Sequence, residues 1–158
     1  MKEITSKIIN YSVVTEKANE VHPILLTRDD NLSGTTYKIK PSNEDHAYYI
    51  TINNKIVDGK IYPFELFINS KNVKHFQWIA ALTRLISAIF RHGTSIDFLI
   101  KELVDISDPN SGYWGKDKLT NNGKYYNSLV QEIGEVIKLH VGQLEELNKW
   151  NMLEVKLE

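Results

Sequence analysis

The sequence predicts an α+β domain: a small, mostly antiparallel sheet over about residues 24–69, then three helices over about 72–92, 95–106 and 126–150. Two observations carry this expectation. Apolar residues recur with period two as far as Asn69, and with a helical period beyond it. Strands first and helices second is the order that stacks helices on one face of a sheet. The 158 residues fit one domain. A chain of that size can bury about two-thirds of its unfolded surface. Residues 31–150 are read as the domain, 1–30 as an extension in which Ile24, Leu25 and Leu26 could begin a strand, and 151–158 as a loose tail.

The strands follow in order. Thr35, Tyr37 and Ile39 alternate with Thr36, Lys38 and Lys40, and Pro41-Ser42-Asn43 breaks the run. His46 to Ile52 is a second run, ending at Asn53-Asn54. Asp58-Gly59 marks a tight turn between Lys55–Val57 and Lys60–Tyr62. Tyr62, Phe64, Leu66 and Ile68 then alternate with Pro63, Glu65 and Phe67. That stretch is apolar on nearly both faces, so it is expected inside the sheet once past Pro63.

The first helix carries apolar residues around most of its circumference, from Phe76 and Ile79 to Ile89 and Phe90, and is expected to be central. Asn69 or Ser70 would cap it, Gly93 would stop it, and Trp78 would belong to its core. Thr94 or Ser95 would cap the second helix, with Phe98, Leu99, Leu103 and Val104 buried. Residues 107–123 are turn-rich throughout and read as a long loop around Tyr113 and Trp114. Leu129, Ile133, Val136, Ile137 and His140 or Val141 form the stripe of the third helix. In the pairs Tyr48-Tyr49 and Tyr125-Tyr126, one ring should be buried and the other exposed.

Composition narrows the chemistry. With no cysteine, this chain can carry no disulfide, thiolate metal site or thiyl radical. No apolar run is long enough to span a membrane, and the N-terminus lacks a signal core, so a cytoplasmic location is expected. Residues 31–92 hold eight Lys/Arg against four Asp/Glu, and residues 93–158 hold seven against eleven. The basic half could meet a phosphate or an acidic partner. The five histidines lack metal-ligand spacing, and no nucleophile elbow, P-loop or dinucleotide turn is present.

Several segments resemble one family. YPFELFINSKNVKHFQWIAALTRLISAIFR, from Tyr62 to Arg91, combines the final strand, the turn and the first helix. LSGTTYKIKP and HAYYITIN precede it, and DPNSGYW and GKYYNSLVQEIGEVIKLH follow it. Over roughly residues 31–141 the chain resembles the TSCPD domain of adenosylcobalamin-dependent (class II) ribonucleotide reductases. In that family the domain follows the large catalytic barrel or forms a separate small subunit, and the barrel supplies the radical cysteine, the cobalamin site and the substrate site. The resemblance therefore implies a domain that is not itself the enzyme and binds no cofactor of its own.

Candidate binding residues are Glu65, Asn69, Ser70, Lys71, Asn72, Arg84, Arg91, Tyr113, Trp114 and Lys124. A strand-to-helix junction at Asn69–Asn72 would offer backbone N–H groups to an anion, or it would simply cap the helix. Arg84 and Arg91 lie seven residues apart on one helix flank, either paired internally with Glu65 or a C-terminal acid, or presented to a phosphate or a partner's carboxylate. Tyr113 and Trp114 could stack on a base, anchor an interface or cover a sheet edge. Three functions are expected to compete: an accessory domain that binds a reductase catalytic chain or a nucleotide; a phage-type module that inhibits a host complex; and a binder of nucleotides or single-stranded nucleic acid. The apolar first helix also makes self-association an expectation.

Overall fold

The computed structural model describes residues 27–73, 75–93 and 95–154. The expected strand at Ile24–Leu26, a cap by Thr94 and the last residues of the tail lie outside them. The elements are β1 (Ser33–Ile39), β2 (Tyr48–Val57), β3 (Lys60–Ser70), α1 (Phe76–His92), α2 (Ile96–Val104), β4 (Tyr113–Lys116), β5 (Gly123–Tyr126) and α3 (Leu129–Glu154). The α+β class and its strand-then-helix order hold. The first three strands form an antiparallel sheet in the order β1-β2-β3.

Asp58 and Gly59 both have positive φ, 49° and 76°. That is the signature of the two-residue turn whose twist matches antiparallel strands. The register slips between Asn53 and Asn54, where Asn53 pairs with Glu65 and Asn54 with Pro63. A proline, lacking an N–H, is tolerated at such a bulge. Asn53-Asn54 therefore does not end a strand; the two runs on either side of it are one strand, β2.

β3 is not internal. It lies at the sheet's edge, and α1 closes that edge. The Ser87 hydroxyl accepts from Leu66 N–H at 3.0 Å and donates to Leu66 C=O at 3.2 Å. An edge strand must have its free backbone groups covered or satisfied, and a helix serine does so here.

α3 packs over one face of the sheet, and α2 packs on α3. The core joins Ile39, Tyr48, Ile50, Ile52 and Leu66 to Ile86 and Phe90 of α1, Leu99, Ile100 and Leu103 of α2, and Ile133, Val136 and Ile137 of α3. At Gly134 a Cβ would sit 2.9 Å from the Leu103 Cβ, so the glycine sets how closely α2 and α3 approach.

α1 is peripheral, not central. Its buried residues are Ile86, Ser87 and Phe90, while Phe76, Trp78 and Leu85 are exposed. Helical period identifies the residues that share a face; it does not say how many faces are covered. Phe98 is exposed for the same reason, whereas Leu99 and Leu103 are buried as expected. Gly93 follows the last turn of α1, and the Ser95 side chain caps α2 by accepting from Phe98 N–H. Asn69 and Ser70 do not cap α1. Both belong to β3, and the residue before α1, His75, makes no side-chain cap.

The stretch read as a loop contains a hairpin, β4 paired with β5 from Tyr113↔Tyr126 to Lys116↔Gly123. Tyr126 is thus the end of a strand, and α3 starts three residues later. α3 also continues through Glu154, beyond the expected end at 150. The tyrosine pairs divide as expected: Tyr48 and Tyr126 are buried, Tyr49 and Tyr125 exposed.

Candidate functional site

The strand registers give the sheet a second face, left open by the described residues. One row across it is Lys38, Tyr49 and Asn69, and the next is Thr36, Thr51 and Phe67. Tyr49 is 44% exposed and Phe67 43%. The Thr36 and Thr51 hydroxyls lie 2.9 Å apart and bond to each other. Two exposed aromatic rings therefore stand among threonine, lysine and asparagine side chains on a three-stranded base.

The third row, Asn53 and Glu65, ends in a charged cluster. Glu65 is 1% exposed. Its Oε1 accepts from Arg28 Nη2 at 3.0 Å and from Asn53 Nδ2 at 2.9 Å, and its Oε2 accepts from Arg28 Nε at 3.1 Å. A buried carboxylate needs such partners. Arg91 approaches from α1, with Nη2 3.9 Å from Glu65 Oε2 and its guanidinium 5.2 Å from the Phe64 ring centre. Its Nε is buried with no hydrogen-bond partner. Arg28 thus takes most of the Glu65 charge, and Arg91 is held beside it with donors to spare.

The hairpin builds a second cluster. The Tyr113 hydroxyl donates to Glu132 Oε2 at 2.6 Å, and Lys118 Nζ lies 3.4 Å from Glu132 Oε1. Burial, then the bond to the neighbouring carboxylate, push the Tyr113 hydroxyl well above the usual phenol range. The Tyr126 hydroxyl is raised as well, by burial first and the charge of Glu132 second. Lys124 pairs with Glu135 at 3.0 Å and with Asp117 at 3.6 Å. Asp117 accepts backbone N–H bonds from Thr120 and Leu119, which hold its carboxyl below the usual range. Trp114 and Tyr125 stack edge to face on the outside, 5.7 Å apart. Beside this hairpin is a hollow of about 820 Å³ lined by Lys118, Lys124, Glu135, Lys138, Gln143 and others. Its charges are mixed, and within it Lys124 pairs with Asp117 and Glu135.

His140 forms a third polar point, between α3 and the covered sheet face. Its Nε2 lies 2.8 Å from Asn54 Oδ1 and its Nδ1 2.9 Å from the Tyr37 hydroxyl. Burial pushes its pKa down to about 4, so near pH 7 the ring is neutral. Asn54 then accepts from Nε2–H, and the Tyr37 hydroxyl lies within bonding distance of both Nδ1 and Gln143 Oε1, the latter at 3.0 Å.

The candidate residues do not form one site. Glu65 and Asn69 share one face of β3, Arg84 and Arg91 share a flank of α1, and Arg91 contacts Glu65. Arg91 pairs internally with Glu65; Arg84 is exposed and makes no ion pair among the described residues. Ser70 donates to Ala47 C=O and accepts from Asn72 N–H, while the Asn72 amide donates to Glu44 and Tyr48. Ser70 and Asn72 thereby tie the end of β3 to the start of β2. Lys71 is exposed beside them. Since α1 begins only at Phe76, no helix N-terminus stands at Asn69–Asn72 to cradle an anion. Tyr113 is a buried partner of Glu132, Trp114 is exposed, and Lys124 is tied into ion pairs.

The residues not anticipated are Tyr49, Phe67, Arg28 and Ser87. Tyr49 and Phe67 were legible in part, since Thr36, Lys38, Thr51, Asn53 and Asn69 share their face by alternation, and that face is polar. Among the described residues, no group of three or more His, Asp or Glu is placed to hold a metal ion. No described helix is long and apolar enough to cross a membrane.

The comparison with protein families matches residues 15–141 to the TSCPD domain. The chain belongs to the TSCPD domain family. The match takes in the sheet, α1, α2, the β4–β5 hairpin and the first half of α3, and it begins upstream of the hairpin on which the resemblance was read. The family is associated with ribonucleotide-reductase-like proteins. No curated protein and no solved structure matches the chain.

Proposed function

We propose that this TSCPD domain is a non-catalytic accessory module that works by docking onto a protein partner, a class II reductase catalytic chain being the first to test. The observation that supports this is the outer flank of α1. Trp78 and Leu85, seven residues apart, are 69% and 64% exposed, and Ala81 lies between them on the same exposed flank. Tryptophan anchors are the residue type most enriched at the energetic centre of interfaces. α1 contains no acidic residue, and Arg84 borders the flank. The surface it fits is therefore apolar and rimmed by carboxylates.

The test is affinity capture of a class II catalytic chain by the full protein, with light scattering of the protein alone as a check for a second copy in the same role. Trp78→Asp should abolish capture while leaving the far-ultraviolet spectrum unchanged. Undiminished capture by that variant, or no capture by the wild type, overturns the reading.

A further inference from the structure

We propose that the open face of the sheet is a platform for one nucleotide, its base stacked over Phe67 and Tyr49 and its phosphate held by Arg91 and Arg84. This goes beyond protein docking and uses a different surface.

The geometry carries it in three steps. The two exposed rings are diagonal neighbours, because Tyr49 pairs with Asn69 and Thr51 with Phe67. Diagonal positions on one sheet face are within reach of a single flat ring system. A sheet that presents unpartnered aromatic rings is the usual base for nucleobase stacking.

The cations then fall at the right edge. α1 runs antiparallel to β3, since Ser87 meets Leu66 and Arg91 meets Glu65. Arg84 shares the flank of Arg91 and lies about 10 Å before it along the helix, from the rise per residue. It therefore falls toward the Phe67–Asn69 end. Glu65 and Phe67 are two residues apart on one face, about 7 Å along the strand, which is close to the span from a base to its own phosphate.

The charges favour an anion. Glu65 is buried and already bonded to Arg28 and Asn53, and Asp29, next to Arg28, is paired with Lys55 at 3.1 Å. Arg91 makes no hydrogen bond among the described residues, and its ring contact with Phe64 holds its planar fork in place. Such a fork suits phosphate oxygens. Charge also decides against a polymer. The net charge is −1, and nucleic-acid binding draws on many phosphate contacts along a basic track. Two arginines at one edge of a short sheet match a single nucleotide.

Calorimetry on the full chain tests this, with AMP and ATP as probes and inorganic phosphate and a ten-residue oligothymidylate as comparisons. AMP or ATP should bind. Phe67→Ala and Tyr49→Ala should each weaken binding about tenfold, as loss of one stacking partner does. Arg91→Ala should weaken it further, and Arg91→Lys should restore part of the loss. Trp78→Asp should leave it unchanged, which separates this proposal from the docking reading. Because Phe67 and Tyr49 are half-exposed, their variants remain informative even if Arg91→Ala fails to fold. The proposal is overturned if neither nucleotide binds. It is also overturned if phosphate alone binds as well as AMP and Phe67→Ala changes nothing, which means an adventitious ion only, or if the oligonucleotide binds more tightly than AMP with a steep salt dependence.

Discussion

The two faces of the β1-β2-β3 sheet are made of alternate residues from the same three strands, and they do opposite work. On the covered face Ile39, Tyr48, Ile50, Ile52 and Leu66 are shut away under the helices. On the other face the rings of Tyr49 and Phe67 stand among Thr36, Lys38, Thr51 and Asn69, without a covering element among the described residues. For the aromatic residues, type therefore does not separate core from surface: Tyr48 is buried and its neighbour Tyr49 exposed. What separates them is which parity the helices cover. Stability is concentrated on one side of the sheet and a capacity for binding on the other, so the two should respond to substitution in different currencies.

The largest expected effect tests that division directly. Ile50→Ala removes a fully buried side chain from the centre of the covered face. Such truncations cost about 2–5 kcal/mol, from lost transfer energy and the cavity left behind. Urea unfolding followed by circular dichroism measures it. A cost below about 1 kcal/mol would mean that the helices do not pack on this face as described.

The covered face also has a polar post, and pH sharpens the contrast. His140 is held neutral by burial, with its pKa down at about 4, against about 6.5 for an unfolded chain. Below pH 6.5 the unfolded state takes up a proton that the native ring refuses, so stability falls as the pH falls and levels off below about 4. At pH 5 the loss from this residue amounts to about 2 kcal/mol. The difference in unfolding free energy between wild type and His140→Gln, followed from pH 7 to pH 5, should shrink by that amount. A difference independent of pH would show that His140 titrates alike in the folded and unfolded states, as a ring exposed to water does, and a difference that grows would show that it is protonated in the fold.

How much of this was legible in the sequence depended on which physical signal each part leaves. Strand alternation, the Asp58-Gly59 turn, the stop at Gly93 and the cap at Ser95 are local, and local chemistry states them outright. The β4–β5 hairpin left no such signal. Its strands are four residues long, and the glycines and asparagines around them carry the composition of a loop. The position of α1 was hidden for a different reason. An all-round apolar helix reads as central, yet here part of its apolar surface faces outward and Ser87, a polar residue, makes the decisive contact with β3. At the candidate site, the pairing of Glu65 with Arg91 was one of two readings open from the sequence. The rings that complete the surface were not singled out, because Phe67 within YPFELFI looks like the second apolar side of a buried strand.

The edge of β3 gives a smaller test of the same division. Ser87→Ala leaves the buried Leu66 N–H without its partner. An unsatisfied buried donor costs about 1–3 kcal/mol, so a loss near 1–2 kcal/mol is expected, read as a lowered urea midpoint. Ser87→Thr keeps the hydroxyl and should recover part of it. A neutral Ser87→Ala would mean that water reaches this edge, and that α1 covers it only loosely.

The smallest expected effect is the one that most exposes the comparison to failure. Phe67→Thr changes a large ring to a small β-branched residue on the open face, opposite Thr51. Phe67 is 43% exposed, so only part of its surface leaves water on folding. Threonine keeps the strand preference of a β-branched side chain. The unfolding free energy should therefore shift by less than about 1 kcal/mol, well under the cost at Ile50 on the next rung of the same sheet. If Phe67→Thr instead costs as much as Ile50→Ala, the second face is covered in the full protein, and its aromatic residues belong to a core. If the shift is small and nucleotide binding falls with it, the same ring contributes little to folding and much to recognition, which is the division of labour that the alternation of strand residues makes available.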